Sequence, residues 1–457
     1  MHSVERTRGC RLFREFLIRQ AKANCLSASL SQHRGFSSCR TLSTDGVYKE
    51  LTAMRVRKPW IEAFRENQQS GHQKTAKEYP QPNLTPKTMK DSYVRILLPL
   101  AQDPWMLDTY ANSNGQLRTG ALLMDLDALA GVVAYRHTGE GVSTVTAAVD
   151  RIAIQNPLHE ICDLELSGQV TFATGRSSLE VTLQVAKAPQ QGHHVAPSDI
   201  FMTCAFTMVA LDPVTKKPVS IAPLKLESQA DRALYSKGEE NYKNKKALKS
   251  LHITSKPPDL EESAEIHKMW TDSLAYADSA NAATQPANVI SMAKSLIHST
   301  SISQPQYRNR HHFMIFGGYL LKQTFELAFT CASAFSHSRV QFLNLDPSTF
   351  EHPVPVGSVL YIASRVTYTE PDRAGGTKIQ VMVTTHVRNV EHAERKSTGT
   401  FFYTFHTDAD VTVLPQTYSE FMMWIQGRRR AKRLAAALHA DGRDQVLGGN
   451  ANSNVTE

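Results

Sequence analysis

Cysteine is scarce in this chain: six of its 457 residues are cysteine, and three of those lie within the first 44 residues. The other three, Cys162, Cys204 and Cys331, are widely spaced and stand in apolar surroundings. An odd number of separated thiols argues against a disulfide framework and against a zinc site. We therefore expect buried thiols with a structural role in the body of the protein.

The chain also lacks any long hydrophobic run and any strong charge in its central part. No apolar stretch approaches the roughly 20 residues that a membrane-spanning helix needs, so we predict no stable membrane insertion. The formal net charge of +8 comes from the two ends, because residues 1–44 carry +6 and residues 427–457 carry +3. The remainder holds 37 basic and 38 acidic residues, so we predict no nucleic-acid partner.

Motifs for several reaction classes are absent as well. The chain has no Gly-x-Ser-x-Gly nucleophile elbow, no phosphate-binding loop and no dinucleotide-binding fingerprint. These absences exclude the serine-nucleophile and nucleotide-binding sites that such motifs build. Attack by water, assisted by a carboxylate, is the chemistry that the remaining residues can support.

Residues 1–44 have the composition of a mitochondrial transit peptide. Five arginines between positions 6 and 19 interleave with apolar side chains, which predicts a basic amphipathic helix, and a serine-rich piece follows. The sequence Arg34-Gly35-Phe36-Ser37 looks like a matrix-peptidase site with the cut after Phe36. We predict a location in the mitochondrial matrix; the alternative is a disordered basic tail that stays on the protein.

The most distinctive stretch, residues 309–336, is a polar loop followed by a double glycine and a long apolar helix. Gly317 and Gly318 stand where the loop becomes the helix, which lets a ligand lie against bare backbone. The free N–H groups of the first turn would then face that ligand, with the positive end of the helix dipole behind them. This arrangement suits an oxyanion or a polarised carbonyl. The alternative is that the glycines only permit tight helix packing.

The chain repeats one pattern, an apolar helix that begins at glycine and is followed by four extended segments. Gly120 begins the helix of the first copy, and Gly317 begins that of the second, 197 positions later. Val170 and Val366 keep nearly the same offset, at 196 positions. We therefore infer two copies of one domain. The extended segments are predicted at residues 142–154, 161–173, 178–186 and 200–211, and again at residues 340–345, 358–369, 378–387 and 399–407.

These segments suggest how the chain is divided. The predicted parts are the transit peptide (1–44), a connector (45–90), a first domain (91–211), an interdomain helical linker (212–288), a second domain (289–415) and a basic C-terminal extension (416–457). The extension contains the basic run Arg428-Arg429-Arg430-Ala431-Lys432-Arg433. Two interpretations of this run stay open: a helix that faces phosphate or membrane, and a solvated helix end.

One long buried helix wrapped by an antiparallel sheet is the hotdog architecture. We predict an α+β fold of two hotdog domains that form an intrachain pseudo-dimer. The sequence resembles the mitochondrial acyl-coenzyme A thioesterase 9 family across residues 91–427. The motifs that carry the resemblance are SYVRILLPL, RTGALLMDLDALAG with AAVDRI, LSGQVTF, and RNRHHFMIFGGYLLKQTFELA with HPVPVGSVL.

The resemblance implies a reaction and its setting. It implies hydrolysis of acyl-CoA to a free acid and CoA, a reaction of fatty acid metabolism, in a groove between two hotdogs. It implies that no metal or other cofactor is needed. It also implies a homo-oligomer of double hotdogs.

The resemblance further implies a carboxylate on a central helix. Asp127 is the candidate, because it lies seven residues after Gly120, the spacing that related thioesterases show between their last motif glycine and their acid. It would orient or deprotonate water. Asp125 is less suited, since two residues along a helix point to different sides. The alternative for Asp127 is a structural acid bonded across the pseudo-dimer.

The polar partner is implied to come from the loop before Phe316. Asn309 is the candidate for holding the thioester carbonyl or the water, but it lies seven residues before Phe316 where related sequences have six. That departure makes His311 and His312 alternative candidates. The glycines expected to line the substrate groove are Gly120, Gly317 and Gly318.

Several further residues are candidates by position. Glu326 lies eight residues after Gly318 and either serves a second active centre or is vestigial. We predict one competent site per chain, with Asp127 from the first hotdog and residues 309–318 from the second. The candidates for binding the CoA phosphates are Arg118, Arg308 and Arg310; the alternative is that they only flank helix starts.

Two other functions stay open on the sequence alone. A hotdog-fold enoyl-CoA hydratase or dehydratase would use His311 or His312 as its base. A non-catalytic hotdog would bind acyl-CoA or a protein partner as a scaffold. Release of free thiol from acyl-CoA separates hydrolysis from both.

Overall fold

The structure is a computed structural model that describes most of the chain after residue 45. The described residues are 46–56, 58–69, 82–158, 160–189, 195–248, 256–277, 285–310, 313–373, 375–391 and 394–440. All of them fall within one of the two compact units of the chain, Ser43–Glu457. The predicted transit peptide, His311 and His312 lie outside the described residues.

The secondary structure alternates long helices with groups of strands. The helices are α1 Tyr48–Arg55, α2 Trp60–Gln69, α3 Met89–Ser92, α4 Pro104–Tyr110, α5 Thr119–Thr138, α6 Gln229–Leu248, α7 Leu260–Ala277, α8 Gly317–Ser336 and α9 Tyr418–Ala440. The strands are β1 Lys87–Thr88, β2 Val94–Leu98, β3 Ser143–Val149, β4 Ile152–Ile154, β5 Leu164–Ala173, β6 Ser178–Lys187, β7 Ile200–Leu211, β8 Leu224–Lys225, β9 Val289–Ser291, β10 Ile297–Ile302, β11 Gln341–Leu345, β12 Ser348–Thr349, β13 Val359–Pro371, β14 Thr377–Arg388, β15 Arg395–Thr407 and β16 Thr412–Leu414.

Two central helices of 20 residues each, α5 and α8, form the cores of the two halves. Both sequences are apolar on nearly every side and contain no proline, which favours a helix that is buried all round. Residues 119–134 of α5 are all buried, and α8 buries large side chains such as Leu321 and Phe325. Each helix thus supplies one hydrophobic core.

A single sheet, with twelve strands in the described residues, wraps both helices. Its order is β10-β13-β14-β15-β11-β4-β7-β6-β5-β2, and β3 pairs with both β7 and β12. The halves meet at the antiparallel pairs β4–β11 and β3–β12. Each half is therefore a long helix wrapped by an antiparallel sheet, which confirms the predicted α+β fold of two hotdogs in one pseudo-dimer.

The two halves share side-chain details that confirm the register of the repeat. The Ser92 hydroxyl at the end of α3 accepts a hydrogen bond of 2.9 Å from the Val170 N–H. The Ser295 hydroxyl accepts an equivalent bond of 3.0 Å from the Val366 N–H. Val170 and Val366 are the valine pair that defined the offset in the sequence. In each half, the serine that precedes the edge strand therefore bonds to the same position of the sheet.

An outer helix lies against the sheet of each half, α6 on β5 and α9 on β13. A Cβ on Gly238 of α6 would lie 2.6 Å from the Phe172 Cβ, and a Cβ on Gly427 of α9 would collide in the same way with the Tyr368 Cβ. Phe172 and Tyr368 are 196 positions apart. The two outer helices are therefore equivalent parts of the repeat, although one falls in the predicted linker and the other in the predicted extension.

The first three arginines of the basic run of α9 are largely buried beside acidic side chains, whereas Lys432 of the same run is exposed. Arg428 and Arg429 pair with glutamates of α7 at 2.5 to 2.6 Å. The Arg430 guanidinium lies 3.6 Å from the Phe402 ring centroid and 3.8 Å from the Asp346 carboxylate. Neither a phosphate- or membrane-facing helix nor a solvated helix end describes these three arginines, so both interpretations are wrong for them. The acids that neutralise them are distant in sequence.

Two expectations about strands need correction. Residues 142–154 form two strands, β3 and β4, because the chain changes partner there: β3 pairs with β12 and β4 with β11. The sequence pattern does not predict β10, because its sequence IHSTSI is polar. An edge strand paired on one side only can carry such a sequence.

The described residues contain three free cysteines, of which Cys204 and Cys331 are buried as expected and Cys162 is half-buried. They contain no group of three or more potential metal ligands. Among the described helices, none is long and apolar enough to cross a membrane.

The outer contact of α9 predicts the effect of one added methyl group. Gly427→Ala should lower the free energy of unfolding by about 2 kcal/mol, although alanine favours a helix by about 1 kcal/mol over glycine. The reason is the collision with the Tyr368 Cβ, which cannot rotate away because it is fixed to the backbone. Equilibrium urea denaturation measures the change.

Gln426→Ala is the matched control, since it places the same residue one position earlier in α9. We expect it to change the free energy of unfolding by no more than about 0.5 kcal/mol. A Gly427→Ala variant as stable as the wild type would show that α9 is not seated on β13 as described.

Candidate active site

The central helices α5 and α8 run antiparallel, and each carries an acid that faces the glycine start of the other. The Gly318 N–H at the start of α8 donates to Asp127 of α5. At the other end of the pair, a Cβ on Gly120 of α5 would lie 2.8 Å from Glu326 Oε1 of α8. The pseudo-dimer therefore builds two related acid–glycine sites, the first at Asp127 and the second at Glu326, and the second lines a crevice.

Asp127 is buried, with 3% of its surface exposed, and both of its carboxylate oxygens accept hydrogen bonds. The Thr146 hydroxyl on β3 donates to Oδ1 at 2.7 Å, and the Gly318 N–H donates to Oδ2 at 2.6 Å. Burial raises the pKa of Asp127, while these two hydrogen bonds and the charge of Arg55 oppose the rise. A carboxylate with a raised pKa is a stronger base than an ordinary carboxylate.

Gly317 and Gly318 differ in the hydrogen bonding of their backbone N–H groups. A Cβ on Gly318 would lie 2.7 Å from the Met124 carbonyl oxygen and 2.9 Å from the Asp127 Cβ, so no side chain fits there. Its N–H is taken by Asp127, which corrects the expectation that the first-turn N–H groups of α8 are free. The Gly317 N–H has no hydrogen-bond partner in the described part of the chain, which leaves it as a donor for a ligand.

Asn309 lies beside β3, the strand whose Thr146 donates a hydrogen bond to Asp127. Its side-chain amide donates to the Thr144 carbonyl at 3.4 Å, two residues before Thr146 on β3, and its side-chain oxygen accepts from the Arg310 N–H at 2.8 Å. The Arg310 guanidinium lies over the Tyr135 ring, 4.3 Å from the centroid. The loop of the second hotdog thus brings both predicted residues against the first hotdog.

The second crevice pairs its acid with an arginine. Arg118 Nε donates to Glu326 Oε1 at 2.8 Å, and the two side chains are 37% and 35% exposed. Asn112 lines the same crevice, whose volume is about 290 Å³. The predicted residues Gly120, Arg118 and Glu326 are therefore neighbours of each other, at the end of the helix pair that lacks Asp127.

The other aspartate of α5, Asp125, makes a separate contact. The Tyr110 hydroxyl of α4 donates to Asp125 and accepts from the Val47 N–H at 3.0 Å. Burial raises the pKa of Asp125 to about 7, opposed by the Tyr110 hydrogen bond and by the charges of Lys322 and Arg55. Asp125 thus ties α5 to α4 and to the N-terminal residues, as expected for an acid on another side of the helix.

Sequence reasoning did not identify Thr146, Asn112 or Arg55. Asn112 was within reach, because the offset of 197 that relates the two helix starts also relates Asn112 to Asn309. Thr146 is one of several polar residues on β3, and Arg55 lies in the predicted connector. No local pattern marks either of them, since both contacts cross between distant elements.

Comparison with known proteins gives relatives that match this chain over more than three quarters of its length. No family model matches the chain. It is 33% identical to the mitochondrial acyl-coenzyme A thioesterase 9 of Bos taurus, over 78% of this chain and 81% of the relative. It is also 33% identical to the Homo sapiens protein of that name, over 76% and 79% of the two chains.

Solved structures give partial matches. One is an acyl-CoA hydrolase from Staphylococcus aureus in complex with butyryl coenzyme A, coenzyme A and coenzyme A disulfide. It is 22% identical, with a TM-score of 0.31, and the match covers 35% of this chain and 98% of that chain.

The raised pKa of Asp127 predicts how the stability of the fold depends on pH. A carboxyl group with a higher pKa in the folded chain stabilises the fold while it is protonated. That contribution is complete below the unfolded pKa and is lost as pH rises through the folded pKa. The stability of the wild type relative to Asp127→Asn should therefore fall as pH rises from about 4 towards neutrality. Urea denaturation at a series of pH values measures it.

Asp91→Asn is a control of opposite sign. Hydrogen bonds from Thr88 lower the pKa of Asp91, so its contribution is present above the unfolded pKa and is lost as pH falls. If Asp91→Asn shows this slope and Asp127→Asn shows none, the pKa of Asp127 is not raised.

Proposed function

The chain belongs to the acyl-coenzyme A thioesterase 9 family and hydrolyses acyl-CoA thioesters, and from this premise we propose that Asp127 is the general base of the reaction. The observation that carries the proposal is the hydrogen bond from the Gly318 N–H of the second hotdog to Asp127 of the first. It supports a composite site, because the acid and the glycine turn come from different hotdogs.

Asp127 retains the hydrogen-bonding capacity to hold the attacking water. A carboxylate oxygen has two lone pairs, and each oxygen of Asp127 uses one of them for Thr146 or Gly318. A remaining lone pair accepts from water, and Asp127 removes a proton as the water oxygen attacks the thioester carbonyl carbon. The raised pKa of Asp127 favours this proton transfer.

The start of α8 stabilises the charge that develops on the carbonyl oxygen. The Gly317 N–H is the proposed donor, because the Gly318 N–H is already bound to Asp127. The positive end of the α8 dipole lies behind it. A Cβ on Gly317 would lie 3.2 Å from both Phe350 Cζ and Thr146 Cβ, so the glycine keeps that space open.

Collapse of the tetrahedral intermediate breaks the C–S bond. The carbonyl re-forms as the free acid, and the electron pair of the C–S bond leaves with sulfur. Asp127 returns its proton to sulfur, which releases the CoA thiol and restores the carboxylate. The proposed role of Asn309, to hold the carbonyl or the water, is supported by its position beside β3. His312 remains an alternative prediction.

We propose that the second crevice is not hydrolytic, which gives one competent site per chain. Glu326 is bound there by Arg118, and Ala121 stands where the second copy has Gly318. Gly120 and Arg118 therefore belong to this crevice rather than to the proposed site. Arg310, which lies beside the end of α5, remains the candidate for a CoA phosphate.

We propose that the enzyme acts in fatty acid metabolism in the mitochondrial matrix. The composition of residues 1–44 and the mitochondrial names of the two relatives support this location. A homo-oligomer of double hotdogs remains a prediction. The edge strands β2 and β10 carry exposed apolar side chains, Leu97 and Ile302, which would suit contacts between copies.

The role of Asp127 predicts a loss of turnover. Asp127→Asn should lower kcat by about a hundredfold or more, the scale of losing a general base, because the amide keeps the size of the side chain but cannot accept the proton. The assay is the release of CoA thiol from acyl-CoA substrates of short to long chain.

Glu326→Gln is the matched control, because it neutralises the acid of the second crevice, which also faces a helix start. Its kcat should stay within about threefold of the wild type. A large loss of kcat in Glu326→Gln and a small one in Asp127→Asn would instead assign hydrolysis to Glu326. A wild-type enzyme that releases no thiol with any chain length would leave only the scaffold function.

The two glycines of the turn should respond differently to one methyl group. Gly318→Ala should lower kcat/KM by about a hundredfold, because the methyl separates α5 from α8 and displaces Asp127. Gly317→Ala should cost much less, since its Cβ would meet its neighbours at 3.2 to 3.3 Å. Equal losses in two variants with normal melting curves would contradict the different roles of the two glycines.

A further inference from the structure

The N-terminal helix α1 carries a buried arginine into the region of the proposed site. Arg55, the last residue of α1, is 2% exposed. Its stem lies against α5 at Gly131, where an added Cβ would lie 3.2 Å from Arg55 Cδ. Gly131 is four residues after Asp127, about one helical turn, so the two positions share a face of α5.

The other end of the Arg55 side chain contacts α8. The guanidinium carbon lies 4.7 Å from the ring centroid of Phe316, the residue that caps the start of α8. Tyr48 of α1 stacks on the same ring, with centroids 5.3 Å apart. Helix α1 therefore contacts both of the helices that build the site, at the residue before Gly317.

Arg55 forms no ion pair with a described residue. Its Nε and Nη2 atoms are buried without a hydrogen-bond partner in the described part of the chain. A buried guanidinium with unsatisfied donors destabilises a fold. The Tyr48 and Phe316 rings lie against the guanidinium and offset part of this cost.

The charged and titratable groups around Arg55 come from several elements. They are Asp125 and Asp127 of α5, Tyr48 of α1, and Arg308 of the loop before α8. Behind Asp127, burial raises the pKa of the Cys204 thiol on β7, so that thiol carries no charge. Arg55 is the cation whose charge acts on Asp127 most directly.

We propose that Arg55 is a positioning residue of the hydrolytic site: its charge favours the ionised form of the buried Asp127, and its contact with Phe316 holds the start of α8. This inference rests on the proposed role of Asp127 as general base. It makes α1, which lies outside both hotdogs, a part of the active site.

The lack of a direct bond between Arg55 and Asp127 has a chemical consequence. In the second crevice, Arg118 binds Glu326 directly and occupies one of its oxygens. Arg55 makes no such bond to Asp127, whose partners are Thr146 and Gly318. A cation that acts through space favours the carboxylate while leaving its remaining lone pairs for water.

The test is the pH dependence of kcat/KM for thiol release by the full chain. Loss of the positive charge in Arg55→Met should raise the pKa of Asp127 further. The acidic limb of the profile, where kcat/KM falls as Asp127 becomes protonated, should then move to higher pH by about one unit. Arg55→Gln is a second neutral variant with the same expected shift. Arg55→Lys keeps the charge and should keep most of the wild-type limb. Lys49→Met removes a cation from the exposed side of α1 and should leave the limb unchanged.

The Asp125→Asn variant identifies which aspartate sets the acidic limb of the kcat/KM profile by its titration. Since Arg55 also acts on Asp125, the limb must persist in Asp125→Asn if it belongs to Asp127. Neutral Arg55 variants that lose rate equally at every pH, with no shift of the limb, would overturn the proposal and leave Arg55 a structural role. A fully active Asp127→Asn would instead refute the proposed function, so the two failures are distinguishable.

Discussion

One hydrogen bond joins the functional parts of this molecule, from the Gly318 N–H of α8 to the Asp127 carboxylate of α5. It crosses from one hotdog to the other and places an acid from the first half against the helix start of the second. It requires glycine at position 318, because the Met124 carbonyl and the Asp127 side chain leave no room for a Cβ. It also requires the two helices to be antiparallel, which follows from the edge-to-edge pairing of the two sheets.

A buried carboxylate is costly, and the structure compensates for it in steps. The Thr146 hydroxyl and the Gly318 N–H each satisfy one oxygen, and the charge of Arg55 lowers the cost of ionisation. The compensation is incomplete, because the pKa of Asp127 remains raised. That incomplete compensation suits the proposed role of Asp127 as general base, since a fully stabilised carboxylate would accept a proton from water less readily.

The repeat makes two acid–glycine sites that are alike in placement and different in chemistry. Position for position, Arg118 corresponds to Ile315 and Ala121 corresponds to Gly318. Glu326 is therefore held by a guanidinium, whereas Asp127 is held by a backbone N–H and a hydroxyl. Two substitutions at a helix start and an acid placed two positions later in α8 than in α5 thus distinguish the halves of a pseudo-dimer whose sheets, outer helices and Ser92 and Ser295 contacts repeat closely.

The sequence by itself determined the fold and the main contact. The apolar helices that begin at Gly120 and Gly317, the offset of 196 to 197 residues and the alternating strands were enough to predict a double hotdog, and the resemblance to a known family then paired Asp127 with the Gly317-Gly318 turn. These features are local or periodic, so a linear pattern records them.

Only the tertiary structure decided which groups hydrogen-bond to each charged side chain and which neutralise it. The contacts of Thr146 and Arg55 with the site, the pairing of Arg118 with Glu326 and the burial of Arg428 against α7 all cross between distant elements. The energy of such a contact depends on burial and on distance, and neither is written in the local sequence around an arginine or a threonine. Likewise, the Gly318 N–H could be assigned to Asp127, and the Gly317 N–H to a ligand, only once the two helices were placed side by side.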